Sequence, residues 1–184
     1  MKRIDENPPA RFPARPISQA ASPWWIAKVK PRQEKALAFD FMKIDVEYYL
    51  PLVNHVTRRK DNNKPRKSVL PLFSGYISFC SSESEAGNVY KTGRIVSVIP
   101  IKHQQRFIRE LTQIYQAIET GVALDPVTTS YAPGASVTVV SGPLRGLTGT
   151  VSRISETDRL VLSVAGLGQA SMLIDSSKVK PSPA

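Results

Sequence analysis

Apolar positions along this chain change their period several times, and each change predicts an element. Trp24-Trp25-Ile26-Ala27-Lys28-Val29-Lys30 runs together aromatic, aliphatic and β-branched side chains, which suits a strand that Pro31 ends. Leu37, Phe41 and Ile44 then recur at spacings of four and three, beside Ala38, so residues 33–44 are expected to form a helix with one apolar stripe on a sheet. Strand character returns over 47–56, where Pro51 argues for an edge or a bulge. Residues 57–68 are polar and read as a loop. Residues 69–79 are apolar again, with Gly75 marking a bend and the residues after it alternating like a half-buried strand. After a polar connection over 81–92, Ile95-Val96-Ser97-Val98-Ile99 is expected to be a central strand. Phe107, Leu111, Ile114 and Ile118 define an amphipathic helix over 102–120 that Gly121 stops.

The elements therefore alternate as β, α, β, β, β, α over 23–120, which implies an α+β domain with helices on one face of a sheet, a ferredoxin-like αβ sandwich. Upstream, residues 1–22 carry Pro8, Pro9, Pro13 and Pro16 and no helical or strand period, so they read as a disordered tail. Residues 121–132 have little periodicity and read as a linker. From 133 to 184 the chain is rich in Val, Thr, Ser and Gly, with four short strands expected at 137–140, 149–154, 160–164 and 170–174, the signature of a small β-barrel.

Composition narrows the chemistry. With 184 residues, 41% of them hydrophobic, the chain holds one medium or two small domains with buried cores, which excludes a large multidomain enzyme. Lys and Arg number 25 against 15 Asp and Glu, a net charge of +10, which points to a negatively charged partner, nucleic acid first. The densest positive stretch is the expected loop, with Arg58, Arg59, Lys60, Lys64, Arg66 and Lys67 against Asp61 alone. No apolar run is long enough to span a membrane and no secretory signal pattern opens the chain, so a cytoplasmic location is expected. His55 and His103 stand apart from each other and from Cys80, so neither a zinc site nor a metal or organic cofactor is expected. Nothing activates Cys80 as a nucleophile, no paired carboxylates form a motif, and no Gly-x-Ser-x-Gly elbow occurs; the chain reads as a non-catalytic binding protein. Gly142, Gly146 and Gly149, with Pro143, read as turn and close-approach positions of a hairpin rather than a phosphate cradle, which would need the P-loop Lys and hydroxyl.

Two segments in this order resemble the NusG family of transcription elongation factors. The opening strand from Trp24 to Lys30 is followed by Leu72-Phe73-Ser74-Gly75-Tyr76-Ile77, where Ser74 stands at the place of the family's usual proline. Later, Val137-Thr138-Val139-Val140-Ser141-Gly142-Pro143-Leu144-Arg145-Gly146-Leu147-Thr148-Gly149-Thr150-Val151 looks like a KOW element. The resemblance implies an N-terminal NGN domain over 23–120 and an SH3-like KOW barrel over 133–184. It also implies a monomer that docks on the clamp of RNA polymerase, holds it shut, suppresses pausing and promotes antitermination.

By motif position, Phe73 and Tyr76 would supply aromatic anchors for the clamp, with Trp24 and Lys28 on the adjacent strand. Arg58, Arg59, Lys60, Lys64, Arg66 and Lys67 would contact phosphate and position the factor without specifying sequence. Lys30, Thr92 and Arg94 match the region with which RfaH-type paralogues contact the non-template DNA strand. The Val164–Gln169 loop, with Leu167 at its tip, would engage Rho or a small-subunit ribosomal protein. The direct run from Thr92 to Pro100 and the long basic loop favour a specialised paralogue acting on particular operons. A general factor that also recruits Rho, and a ribosome-associated RNA-binding module, are the alternatives.

Overall fold

A computed structural model describes residues 7–58, 63–127, 134, 136–154, 157–174 and 178–182. The chain divides into two units, Met1–Gln104 and Gln105–Ala184.

The first unit is built on an antiparallel sheet. Its strands are β1 (Arg11–Phe12), β2 (Trp24–Val29), β3 (Tyr48–Tyr49), β6 (Tyr76–Cys80) and β7 (Ile95–Pro100), ordered β1-β3-β6-β2-β7. Helix α1 (Glu34–Lys43) lays Leu37, Ala38 and Phe41 into one core with Ala27, Val29, Tyr48, Ile77 and Phe79. Phe41 meets Phe79 at 5.5 Å between ring centroids and Tyr48 at 6.3 Å. Such tilted aromatic pairs add about 0.5–1.5 kcal/mol each beyond the area they bury. The helix carries Glu34 in its first turn and Lys43 in its last, the charge placement its dipole favours. It ends with Asp45 at φ 56 and the Val46 N–H on the Phe41 carbonyl at 2.9 Å, a Schellman closure with Asp in the position Gly usually fills.

Several expectations change against this frame. The described part of the proline-rich segment takes defined structure: β1 pairs with β3, the Tyr48 hydroxyl donates to the Pro9 carbonyl at 2.9 Å, and Ile17 is buried. Arg15 also grips Glu47 with its guanidinium. Prolines fit here because a sheet edge has N–H positions that need no partner. The expected strand over 47–56 splits at Pro51 into β3 and β4 (Leu52–Arg58). Of the expected loop over 57–68, residues 57–58 and 65–68 lie in a two-stranded ribbon, β4 paired with β5 (Pro65–Pro71), because Val56, Thr57 and Val69 carry strand propensity through the charges. The strand at 95–100 lies at an edge and not at the centre. Val96 is exposed there, Pro100 has no N–H to offer, and the Val98 N–H is taken by the Tyr90 hydroxyl at 2.9 Å.

In the second unit, α2 (Gln104–Glu119) buries Phe107, Leu111, Ile114 and Ala117, and Gly121 at φ 72 follows its end. Among the described residues, β8 (Asp125–Pro126), β9 (Ser136–Val139), β10 (Thr148–Ile154), β11 (Thr157–Val164), β12 (Gly168–Leu173) and β13 (Val179–Pro181) form an antiparallel sheet in the order β13-β9-β10-β11-β12-β8. The expected linker therefore contributes a strand, held by buried Leu124 and by pairing with β12, and β13 adds a further one. Gly142 and Gly146 have φ of 83 and 94, as turn glycines should, while Gly149 serves by close approach. No helix among the described residues is long and apolar enough to cross a membrane.

A Cβ on Gly149 would lie 2.6 Å from the Val161 carbonyl oxygen across the β10–β11 pair, and backbone cannot yield there as a side chain would. Gly149→Ala is expected to destabilise the second unit by about 1–3 kcal/mol, read as a lowered denaturation midpoint of that unit.

Candidate functional site

The aromatic turn is fixed by backbone chemistry before any side chain is considered. Gly75 sits at φ 83, in the left-handed region, and the Tyr76 N–H reaches the Phe73 carbonyl at 3.3 Å. The Gly75 carbonyl accepts from the Val29 N–H at 2.8 Å, and the Gly75 N–H donates to the Glu34 carboxylate at 2.7 Å. Glu34 is 7% exposed, so this charge is withdrawn from water for the sake of one turn.

The pairing of β2 with β6 then sets what stands beside that turn. Lys28 lies directly opposite Tyr76, Ile26 opposite Ser78 and Trp24 opposite Cys80. Lys28 is exposed and Tyr76 half-buried, so a cation and a phenol ring stand side by side on one face. Phe73 is only 6% exposed and backs the turn from inside. Trp24, at the far end of β2, is 2% exposed, and its backbone N–H and carbonyl are both clamped by the Gln104 side-chain amide at 2.8 Å. Of the sequence-derived set, Tyr76 and Lys28 face outward while Phe73 and Trp24 belong to the interior.

The ribbon carries the positive charge. Arg58 pairs with Pro65, Thr57 with Arg66 and Val56 with Lys67, so the pleat puts Val56, Arg58 and Lys67 on one face and His55, Thr57 and Arg66 on the other. Arg58, Lys64, Arg66 and Lys67 are exposed. Arg59 and Lys60 lie outside the described residues. Paired strands instead of a loop give Arg58, Arg66 and Lys67 a defined spacing along the ribbon.

Lys30, Thr92 and Arg94 come together where β2 ends and β7 begins. The Lys30 N–H donates to the Arg94 carbonyl at 2.9 Å and its ammonium to the Gly93 carbonyl at 2.7 Å. Thr92 is turned inward, its hydroxyl donating to the Val89 carbonyl at 2.8 Å. The Arg94 guanidinium is held by Asp40 at 2.6 Å and by the Gln33 side chain. Lys30 is therefore the exposed member of the trio, and Arg94 is engaged within its own fold. Gln33, Glu34 and Asp40 did not emerge from the sequence. An acidic residue in the first turn of a helix was a visible signal for Glu34, but its partner lies far along the chain at Gly75.

Burial alone would push the Asp40 carboxyl up, but hydrogen bonds from Arg94 and Lys43 and their charges hold it below its ordinary 3.8. Asp40 lines a cleft of about 860 Å³ with Arg15, Lys43, Glu47, Cys80 and Thr92, whose charges are largely paired off among themselves. Burial raises the Cys80 thiol far above its usual range, with Glu47 adding to the rise, so it stays protonated and is a poor nucleophile. Among the described residues no group of three or more His, Cys, Asp or Glu is placed to hold a metal ion.

In the second unit, Leu167 is 8% exposed, so the expected apolar tip is turned inward. The loop is fastened from α2, where the Glu110 carboxylate accepts from the Ala165 N–H at 2.8 Å and pairs with Arg106. Gln113 likewise accepts from the Thr148 N–H at 2.7 Å.

A family model described as "Transcription termination factor nusG" matches residues 22–128, more than half of the chain. Among solved structures, the chain is similar to NusG of Thermotoga maritima, in a structure titled for its domain interaction. That match has 16% identity and a TM-score of 0.49 and covers 86% of this chain and 96% of the other. It also matches a structure of the MjSpt4:Spt5 complex at 13% identity and a TM-score of 0.30, covering 86% and 95%. No curated protein matches the sequence.

Because the Asp40 carboxyl is depressed in the folded state, its ion pair stabilises the fold above the unfolded value near 3.8, and that contribution is lost as pH falls through the lower folded value. Asp40→Asn should therefore lower the unfolding midpoint at neutral pH and flatten the acid limb of the stability profile. Parallel acid limbs in variant and parent would contradict this.

Proposed function

The chain belongs to the NusG family of transcription factors, and from that premise we propose that it is an elongation factor. Its first unit docks on the clamp of RNA polymerase through the Tyr76 corner while its ribbon touches nucleic acid. The observation that carries this reading is the pairing of half-buried Tyr76 with exposed Lys28 beside the braced Gly75 turn, inside the matched region. A partly buried ring loses little conformational entropy on docking, and an adjacent cation selects for an acidic neighbour on the partner. Phe73 supports the corner from behind instead of reaching across it.

Holding the clamp requires no covalent chemistry. A factor that binds the closed, elongating state more tightly than the paused one moves the equilibrium by its difference in affinity. The exposed cations of the ribbon, Arg58, Lys64, Arg66 and Lys67, contribute phosphate contacts that keep the factor in register with upstream or non-template DNA. Lys30, exposed at the end of β2, offers a further cation. The second unit is read as an SH3-like KOW domain on the strength of its antiparallel strands and the Gly142–Gly149 hairpin.

Antitermination on particular operons fits better than recruitment of Rho, because Leu167 is buried and its loop is fastened to Glu110. A small apolar tip held inward has little area to offer a large partner. The reading remains that of a polymerase-bound factor, located in the cytoplasm with its polymerase.

Two measurements test it. Tyr76→Ala should weaken retention on purified polymerase by about 1–2 kcal/mol, roughly tenfold, with the unfolding midpoint little changed. Unaltered retention would remove the corner from the interface. Neutralising Arg58, Arg66 and Lys67 together should reduce the dependence of log affinity for duplex DNA on log salt by about 2–3. A slope equal to the parent's would leave the ribbon without a role in binding.

A further inference from the structure

Helix α1 begins at a junction. Glu34, its first residue, accepts the Gly75 N–H at 2.7 Å and so closes the aromatic turn. The next residue, Lys35, donates its ammonium to the Val69 carbonyl near the foot of β5 at 2.5 Å and to the Asn7 side-chain oxygen at 2.6 Å. Two adjacent side chains thus fasten, from one rigid helical turn, the corner that carries Tyr76 and the base of the ribbon that carries Arg58, Arg66 and Lys67. Only Leu72, Phe73 and Ser74 separate the end of β5 at Pro71 from Gly75, and the Leu72 N–H is tied to the Pro51 carbonyl at 2.8 Å. Without fasteners, a two-stranded ribbon could pivot at this short stem, since a lone hairpin has no sheet to orient it.

We infer that Glu34 and Lys35 are positioning residues that hold the aromatic turn and the basic ribbon in a fixed relation, so that polymerase docking and nucleic-acid contact reinforce each other in one bound state. The inference rests on the docking and DNA-binding reading above. Its physical content is preorganisation: an arm already aimed at the DNA when the corner docks loses less freedom on binding than one that must be oriented afterwards. The division of labour is by residue. Glu34 fixes the corner, and its loss should be felt in polymerase binding itself. Lys35 fixes the arm, and its loss should be felt only when DNA is present. A buried carboxylate with one backbone N–H is expensive if it served packing alone, and an apolar residue would fill the place as well.

The test uses the full chain with purified polymerase, alone and assembled on a DNA bubble, and follows exchange of the Gly75 amide by hydrogen–deuterium NMR. Glu34→Asp keeps the charge but falls one methylene short. It is expected to speed Gly75 exchange at least about tenfold and to weaken binding to polymerase alone by a similar factor. Glu34→Gln keeps an acceptor oxygen in reach and should restore both. Lys35→Met keeps the apolar stem; it should leave affinity for polymerase alone and the unfolding midpoint unchanged while removing most of the extra affinity that DNA confers. Gly75 protection in Glu34→Asp equal to the parent's, a Gln variant as impaired as Asp, or an undiminished DNA gain in Lys35→Met would each overturn the inference. Should Tyr76→Ala bind polymerase like the parent, the docking reading fails instead. The Gly75 exchange rates report on the Glu34 brace in either case.

Discussion

The pairing of β2 with β6 on one side and β7 on the other is the constraint on which the first unit depends. That single strand carries Trp24 and Ile26 into the interior, sets Lys28 against Tyr76, and ends with Val29 donating to the Gly75 carbonyl and Lys30 donating to the Arg94 carbonyl. A slip of one residue would reverse every one of these placements, because side chains in a strand alternate between faces. The core formed with α1 makes such a slip costly, since Ala27 and Val29 would be exchanged for an exposed lysine. The geometry of the candidate interface is thus a by-product of the same register that buries the core.

Much of this was legible in the chain itself. The opening strand, both long helices and the Gly75 bend follow from periodicity and turn chemistry, and the family could be named from the residues around Tyr76 and the glycine hairpin. Other features were not. The charges of residues 57–68 masked a ribbon whose strand propensity is modest, because a sheet of two strands needs little apolar surface. The prolines before Trp24 suggested disorder, yet a segment that pairs at an edge can tolerate them, and its anchors, Tyr48 and Glu47, stand far away in sequence. Whether 95–100 lies at the centre or the rim of its sheet is a matter of topology that local pattern does not encode.

The candidate site divides along the same line. Residue types at motif positions identified the turn and the cations, but not which of them face water. Phe73, Trp24 and Leu167 carry the apolar character of contact residues and are buried, while Arg94 is absorbed by Asp40 and Gln33. What fixes their roles is a set of polar partners at long sequence separation, and a single sequence gives no access to those pairs. Conversely, Glu34 and Lys35 look like ordinary helix-start residues until their acceptors and donors are known.

The rim of the first sheet has a consequence for how the molecule behaves in company. Along β7, Pro100 offers no hydrogen and Val98 has already given its own to the hydroxyl of Tyr90, so two successive outward positions are closed to an arriving extended chain. A neighbouring copy that met this flank would find an interrupted ladder and gain little by lying alongside it. That flank is therefore a poor place for another chain to add a strand.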